Sequence, residues 1–185
     1  MSYDINRIVD ILAFLAKNDQ DLTKLRINKL LFLIDKLHLR KYGRLVLGDV
    51  HLKLPLGPVA QITNNIISDF IENEDSYSGG LKECFKVNRK RKYENIILMH
   101  DCNFESLSES EIETIKEVLA KYGKLPTSKL VDITHKDIAW VNTDNLQEID
   151  YSLFLIDLPD EKRKIIEQLI ELDKENDLVF SELTR

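Results

Sequence analysis

The reading of this chain turns on Lys29 to Val59, KLLFLIDKLHLRKYGRLVLGDVHLKLPLGPV. Leu30, Leu33, Ile34 and Leu37 recur at the spacing of one helical face. Lys29, Lys36 and Arg40 lie off that face, and Asp35 and Lys41 lie partly off it. Gly43 can take the positive φ that ends a helix, and basic residues in the last turn suit the helix dipole. Val50, Leu52 and Leu54 then alternate with His51 and Lys53, the period of a half-buried strand. Gly57-Pro58 predicts a turn and then a helix from Pro58 to about Glu72, because proline is tolerated at the first helical position.

Working outward, Ile5, Ile8, Val9, Leu12 and Leu15 predict a first helix over about 4–17. A polar break, 18–21, separates it from the central helix, which Thr23 can cap. Glu74 to Gly80 reads as a loop. Two apolar pieces, Cys84 to Val87 and Asn95 to Met99, flank the basic run Arg89 to Lys92 and predict a β-hairpin, with the Val50 strand as a third member. Ser108 and Glu111 form a capping box for a helix ending at Tyr122-Gly123. Pro126-Thr127 opens a short helix through Ile133. Pro159 opens a last one, which reads as a candidate appendage over 159–185. The expected fold is mainly α (α+β). It is a compact bundle of about six helices with a small antiparallel sheet, and 1–185 is read as one domain.

The order Lys29-Leu30-Leu31-Phe32, His38-Leu39, Tyr42-Gly43, Gly48-Asp49 and Gly57-Pro58-Val59 resembles the Panacea antitoxin domain, the SocA-like family. A second block, LVDITHKDIAW over Leu130 to Trp140, is similar to that family's later Thr-His … Trp element. Two blocks in the right order, about seventy residues apart, are more specific than either alone. The chain departs from the pattern at Leu45, where the family often has proline, and at Leu56, where it often has an aromatic. Both positions shape loops. The resemblance implies an antitoxin that binds a cognate protein toxin. For the SocA-like branch it also implies an adaptor delivering a toxin to a cytoplasmic protease. It singles out Lys29, His38, Gly43, Asp49, Gly57, Pro58, His135 and Trp140 as motif or partner-binding positions.

The residues themselves point away from catalysis. No phosphate-binding glycine loop, Gly-x-Ser-x-Gly elbow or His-Glu-x-x-His occurs. With 32 acidic residues, paired carboxylates are expected by chance. His100, Asp101 and Cys102, with Cys84 across the hairpin, lack the paired spacing of a zinc site, so no metal or cofactor is expected. A net charge of −6 makes nucleic acid an unfavourable partner, and the run at 89–92 reads as a solvated hairpin turn. Two cysteines, no leader-like N-terminus and no long apolar run suggest a cytoplasmic protein without a membrane span. Asp49 is expected to cap or orient the turn after Gly48. Trp140 is expected to be buried rather than an exposed interface anchor. The expected function is that of a non-enzymatic antitoxin. The alternatives are a protease adaptor or mobile-element interaction protein without a toxin, a DNA-binding regulator, and a novel enzyme.

Overall fold

In the computed structural model, which describes residues 4–183 apart from 20, 78, 91 and 101–103, with side chains as far as 176, one helix occupies the centre. That helix, α2 (Lys24–Tyr42), follows α1 (Ile5–Asn18). Asp4 caps α1 through the N–H groups of Asn6 and Arg7, and Thr23 caps α2 through that of Arg26. Gly43 closes α2 at φ 74°, the left-handed geometry that suits glycine.

Two short antiparallel hairpins follow. β1 (His51–Leu54) pairs with β2 (Gly57–Ala60), and β3 (Phe85–Asn88) pairs with β4 (Asn95–Leu98). Between them lie α3 (Gln61–Glu72) and a single turn, α4 (Leu81–Cys84). α5 (Glu109–Tyr122) starts on the Ser108–Glu111 capping box. α6 (Thr127–His135), α7 (Ile138–Val141), a 3-10 turn (Tyr151–Leu155) and α8 (Asp160–Leu183) complete the chain. The mainly α class with a small β part holds, with eight α-helices among the described residues rather than about six. The two additional ones are the single turns α4 and α7, too short to show a period in sequence.

The core runs along α2, packed by α3, α5, α6, α8 and β2, with Phe32, Phe70, Phe85 and Phe154 as its largest fully buried apolar members. Phe32 meets Phe154 edge-on at 5.2 Å, a favoured aromatic geometry.

Four sequence expectations are corrected. First, Pro58 does not open a helix. It lies in β2 opposite Lys53, and α3 starts three residues later at Gln61. Proline's fixed φ suits a strand of a two-stranded ribbon as well as a helix start. Second, the two hairpins are separate sheets. β1 takes its other neighbour from 146–149, through Leu146 N–H to Lys53 O and Lys53 N–H to Gln147 O, both 2.9 Å. Third, Cys84 ends α4 rather than opening a strand. Fourth, the inward residue of β1 is His51, fully buried, while Leu52 and Leu54 are half-buried.

A residue of α2 turns His51 inward. Asp35, expected partly off the apolar face, is fully buried. Its Oδ1 accepts the backbone N–H groups of Val46 (2.9 Å) and Leu47 (2.8 Å), and its Oδ2 faces His51 Nε2 at 2.9 Å. An ionised carboxylate only accepts hydrogen bonds, so His51 donates from Nε2. Removing one partner of such a set leaves the others buried and unpaired. Asp35→Ala is therefore expected to lower unfolding free energy by roughly 3–5 kcal/mol in urea titration. A loss below about 1 kcal/mol would show that the loop and His51 are held by other means.

Candidate functional site

The two sequence blocks meet in space at the β1–β2 hairpin. Lys29, expected off the apolar face and free to pair with a carboxylate from another helix, is fully buried in α2 instead. Its Nζ donates to the carbonyl of Pro58 at 2.9 Å, and no carboxylate pairs with it among the described residues. Burial alone lowers its pKa to about 7. Gly57 makes room for this amine. Its φ is 102°, and a Cβ there would lie 2.8 Å from Lys29 Cε, 2.9 Å from Nζ and 3.1 Å from Thr134 Oγ1. Only glycine combines that φ with that clearance.

Thr134 leads directly into the second block. Its hydroxyl donates within α6 to Leu130 O (3.0 Å), which directs its flank at the hairpin. His135 follows, its ring stacked on that of Trp140 at 4.3 Å and 21°. On the indole, Lys53 of β1 places its ammonium 4.3 Å from the ring centroid and donates to Thr143 O at 2.7 Å. Lys29, Gly57, Pro58, His135 and Trp140 are thus one neighbourhood, joined by Thr134 and Lys53. Trp140 is half-buried rather than fully buried, and its Nε1, like His135 Nε2, is enclosed without a hydrogen-bond partner. Burial lowers the His135 pKa, and the charges of Lys29 and Lys53 push the same way.

The other three singled-out residues lie elsewhere and act on backbone. His38 Nδ1–H donates to Arg44 O (2.8 Å), and its Nε2 faces Ser110 Oγ at 3.4 Å. It ties the end of α2 to the following loop and to α5, and desolvation lowers its pKa. Gly43 lets α8 approach, since a Cβ there would lie 2.7 Å from Leu169 Cβ. Asp49 is a capping residue, but for α3 rather than for the turn after Gly48. It caps α3 from a distance, accepting from Ile62 N–H (3.1 Å) and Thr63 N–H (2.7 Å), where Ala60 has no side chain to do so. Tyr151 hydroxyl donates to the Asp49 carbonyl and accepts from His51 N–H at 3.1 Å, and burial raises its pKa.

Several residues that shape this region were not singled out from sequence. Asp35 and His51 are two. Asn28 is a third: its Oδ1 accepts from Ala60 N–H (2.9 Å) and its amide donates to Asn64 (3.0 Å). Arg26 is a fourth, bonded to Asp19 (2.5 Å), Gly123 O (2.6 Å) and Leu125 O (2.7 Å). For Arg26, Asn28 and Asp35 the only sequence signal was their place on a helix already dense with leucine, and for His51 it was a polar position in the alternating strand. Of the metal candidates, Asp101 and Cys102 lie outside the described residues, and His100 bonds Glu83 O at 2.8 Å. Among the described residues, no group of three or more His, Cys, Asp or Glu could hold a metal ion. In the basic run, Arg91 lies outside the described residues, while Arg89 pairs with Glu94 and bonds Ile71 O. Among the described residues, no helix is long and apolar enough to cross a membrane.

The family described as Antitoxin SocA-like, Panacea domain, matches residues 27–141. That interval contains both blocks and the whole Lys29–hairpin–Trp140 neighbourhood, and it ends before the 3-10 turn and α8. No curated protein and no solved structure matches the chain.

Two outcomes follow from this geometry. The folded chain holds Lys29 with a pKa of about 7, while the unfolded chain has the ordinary value of 10.5. Between these limits the unfolded state binds the extra proton, so stability rises with pH. Wild-type unfolding free energy is expected to climb between pH 7 and 10 with a slope on the order of 1.4 kcal/mol per pH unit greater than that of Lys29→Met. Parallel pH profiles would refute the buried amine. The second outcome uses the single tryptophan. His135 protonates only below the ordinary histidine range, and imidazolium stacked on indole quenches its emission. Fluorescence should fall on acidification through a midpoint below about 6.5. His135→Gln should be flat over that range, and an unchanged titration in that variant would place the quencher elsewhere.

Proposed function

Since this chain belongs to the antitoxin SocA-like, Panacea domain family, we propose that it is the antitoxin of a toxin–antitoxin pair. It neutralises a cognate protein toxin in the cytoplasm by direct contact and carries out no catalysis of its own. The observation that carries this reading is the convergence of both family blocks on one buried construction. Lys29, Gly57, Pro58, Thr134, His135 and Trp140 fix the β1–β2 hairpin against α2 and α6. Lys29 and Thr134 donate to backbone carbonyls, and the rings of His135 and Trp140 stack on each other with His135 Nε2 and Trp140 Nε1 enclosed, away from any cleft where a substrate could react. That is what a binding scaffold needs: a rigid body whose outer surface is pre-formed, so that little ordering accompanies association. The charge balance of −6 suits a basic protein partner, for which long-range attraction speeds encounter.

The test is a growth assay in a bacterium. The neighbouring gene is expressed under tight control, with and without this chain. Arrest by the neighbour and recovery with this chain support the proposal, and a co-purifying complex with undiminished toxin supports neutralisation by contact. Recovery with loss of the toxin protein would point to delivery to a protease instead. A harmless neighbour, or arrest that this chain does not relieve, would overturn the antitoxin reading.

A further inference from the structure

Beside the hairpin, an open groove of about 1160 Å³ runs between the loop 43–50, the segment 148–155 and α8. Its far wall, α8, stands outside the interval shared with the family, and its near wall, the loop, lies inside it. Gly43 sets the junction, because Leu169 of α8 rests where a Cβ would be. The floor is apolar and partly open: Leu45, Val50, Tyr151 and Ile170 are half-buried along it.

The rim is acidic. Five carboxylates line the groove, Glu148, Asp150, Glu167, Glu171 and Asp173. All five residues are exposed. Against them stand two cations. Arg44 is already engaged by Glu111 (3.1 Å), Ser108 and Ser110, which leaves Lys174. Asp150 accepts from Ser152 N–H at 2.8 Å, and Glu167 lies 4.0 Å from Arg163. The carboxylates of Glu148, Glu171 and Asp173 make no hydrogen bond or ion pair among the described residues. Three unpaired like charges on one rim repel one another and lower the cost of admitting a cation.

We propose that this groove is where the protein partner docks, and that its occupant is a basic amphipathic segment of that partner. The apolar side of the segment lies on Val50, Tyr151 and Ile170, and its lysines or arginines face Glu148, Glu171 and Asp173. The inference rests on the reading of the chain as a protein-binding antitoxin. The dimensions favour a polypeptide over a small molecule. Small-molecule pockets enclose most of their ligand in roughly 300–1,000 Å³, whereas this trough is larger and open along one side. A helix in a groove with apolar anchors and a charged rim is a recurrent mode of peptide recognition. The position of the groove also fits a family role with a particular partner, since the shared loop supplies one wall and a segment outside the family match supplies the other.

The test uses the full chain in two arms. In the first, the probe is a labelled synthetic Lys/Leu amphipathic peptide of roughly 18 residues, about 27 Å as a helix. It is titrated by fluorescence anisotropy against wild type, against E148K/E171K/D173K, and against the control D75K/E109K/D132K, whose charge change is the same but lies off the groove. Saturable one-to-one binding, weakened at least about tenfold in the groove variant and held within about twofold in the control, supports the proposal. Equal loss in both variants, or binding that does not saturate, means diffuse attraction to an acidic protein and overturns it. In the second arm, the same variants replace wild type in the growth assay, with melting curves confirming that each is folded. Rescue by the control but not by the folded groove variant supports the groove. Rescue by both leaves the antitoxin reading standing and removes the groove. Failure of wild type to rescue overturns the antitoxin reading, and with it the partner on which this inference rests.

Discussion

The Asp35 carboxylate is the constraint on which most of this structure hangs. After Gly43 the chain leaves α2 and runs back beside it for seven residues with no strand to pair with. A loop that is partly buried must find acceptors for its amides, or each one left unpaired is costly. Asp35 supplies them for Val46 and Leu47 and holds the ring of His51 with its second oxygen. That fixes where β1 begins and turns His51 inward. β2 then comes down on α2, where Asn28 receives the Ala60 amide and Lys29 reaches the Pro58 carbonyl. Three polar side chains of one helix, Asn28, Lys29 and Asp35, thereby position the loop and both strands of the hairpin.

The same residues explain what could be read in sequence and what could not. Helix periods, the Thr23 and Ser108–Glu111 caps and the Gly43 stop are local signals, settled within about one turn of chain, and they were legible. The burial of Lys29 and Asp35 was not. A period argument sends charged residues outward, and the groups that reward their burial lie 11 to 29 residues away. The inversion of β1 has the same origin. Its leucines alternate as an inward face should, yet a carboxylate on another element outweighs them by holding His51. Pro58 was misplaced because its φ serves a strand and a first helical turn equally, while the group that does start α3 is the side chain of Asp49, twelve residues before Gln61. The two family blocks were legible as blocks, but their meeting through Gly57 and Thr134 was not, since nothing local marks which glycine must clear which side chain.

The buried motif positions and the open groove differ on physical grounds. Buried polar groups with fixed partners contribute little net stability over well-packed apolar ones, yet losing a single member is severe. Such a network therefore penalises change at every position that belongs to it, whether or not a ligand ever touches it. Lys29, His38 and Asp49 all belong to networks of this kind and bond backbone of their own chain, and Gly57 clears the Lys29 and Thr134 side chains. What these positions do in this chain is hold the hairpin and the loop. A contact surface has the opposite character: its charges must be unspent before the partner arrives, and its apolar groups must be reachable. Glu148, Glu171 and Asp173 above Val50 and Ile170 meet that condition, and the motif residues, all but Trp140, do not. The motif is therefore best understood as the frame that holds the hairpin, the 43–50 loop and α3, with Gly43 setting the approach of α8, and the opening between loop and α8 as the surface proposed for the partner.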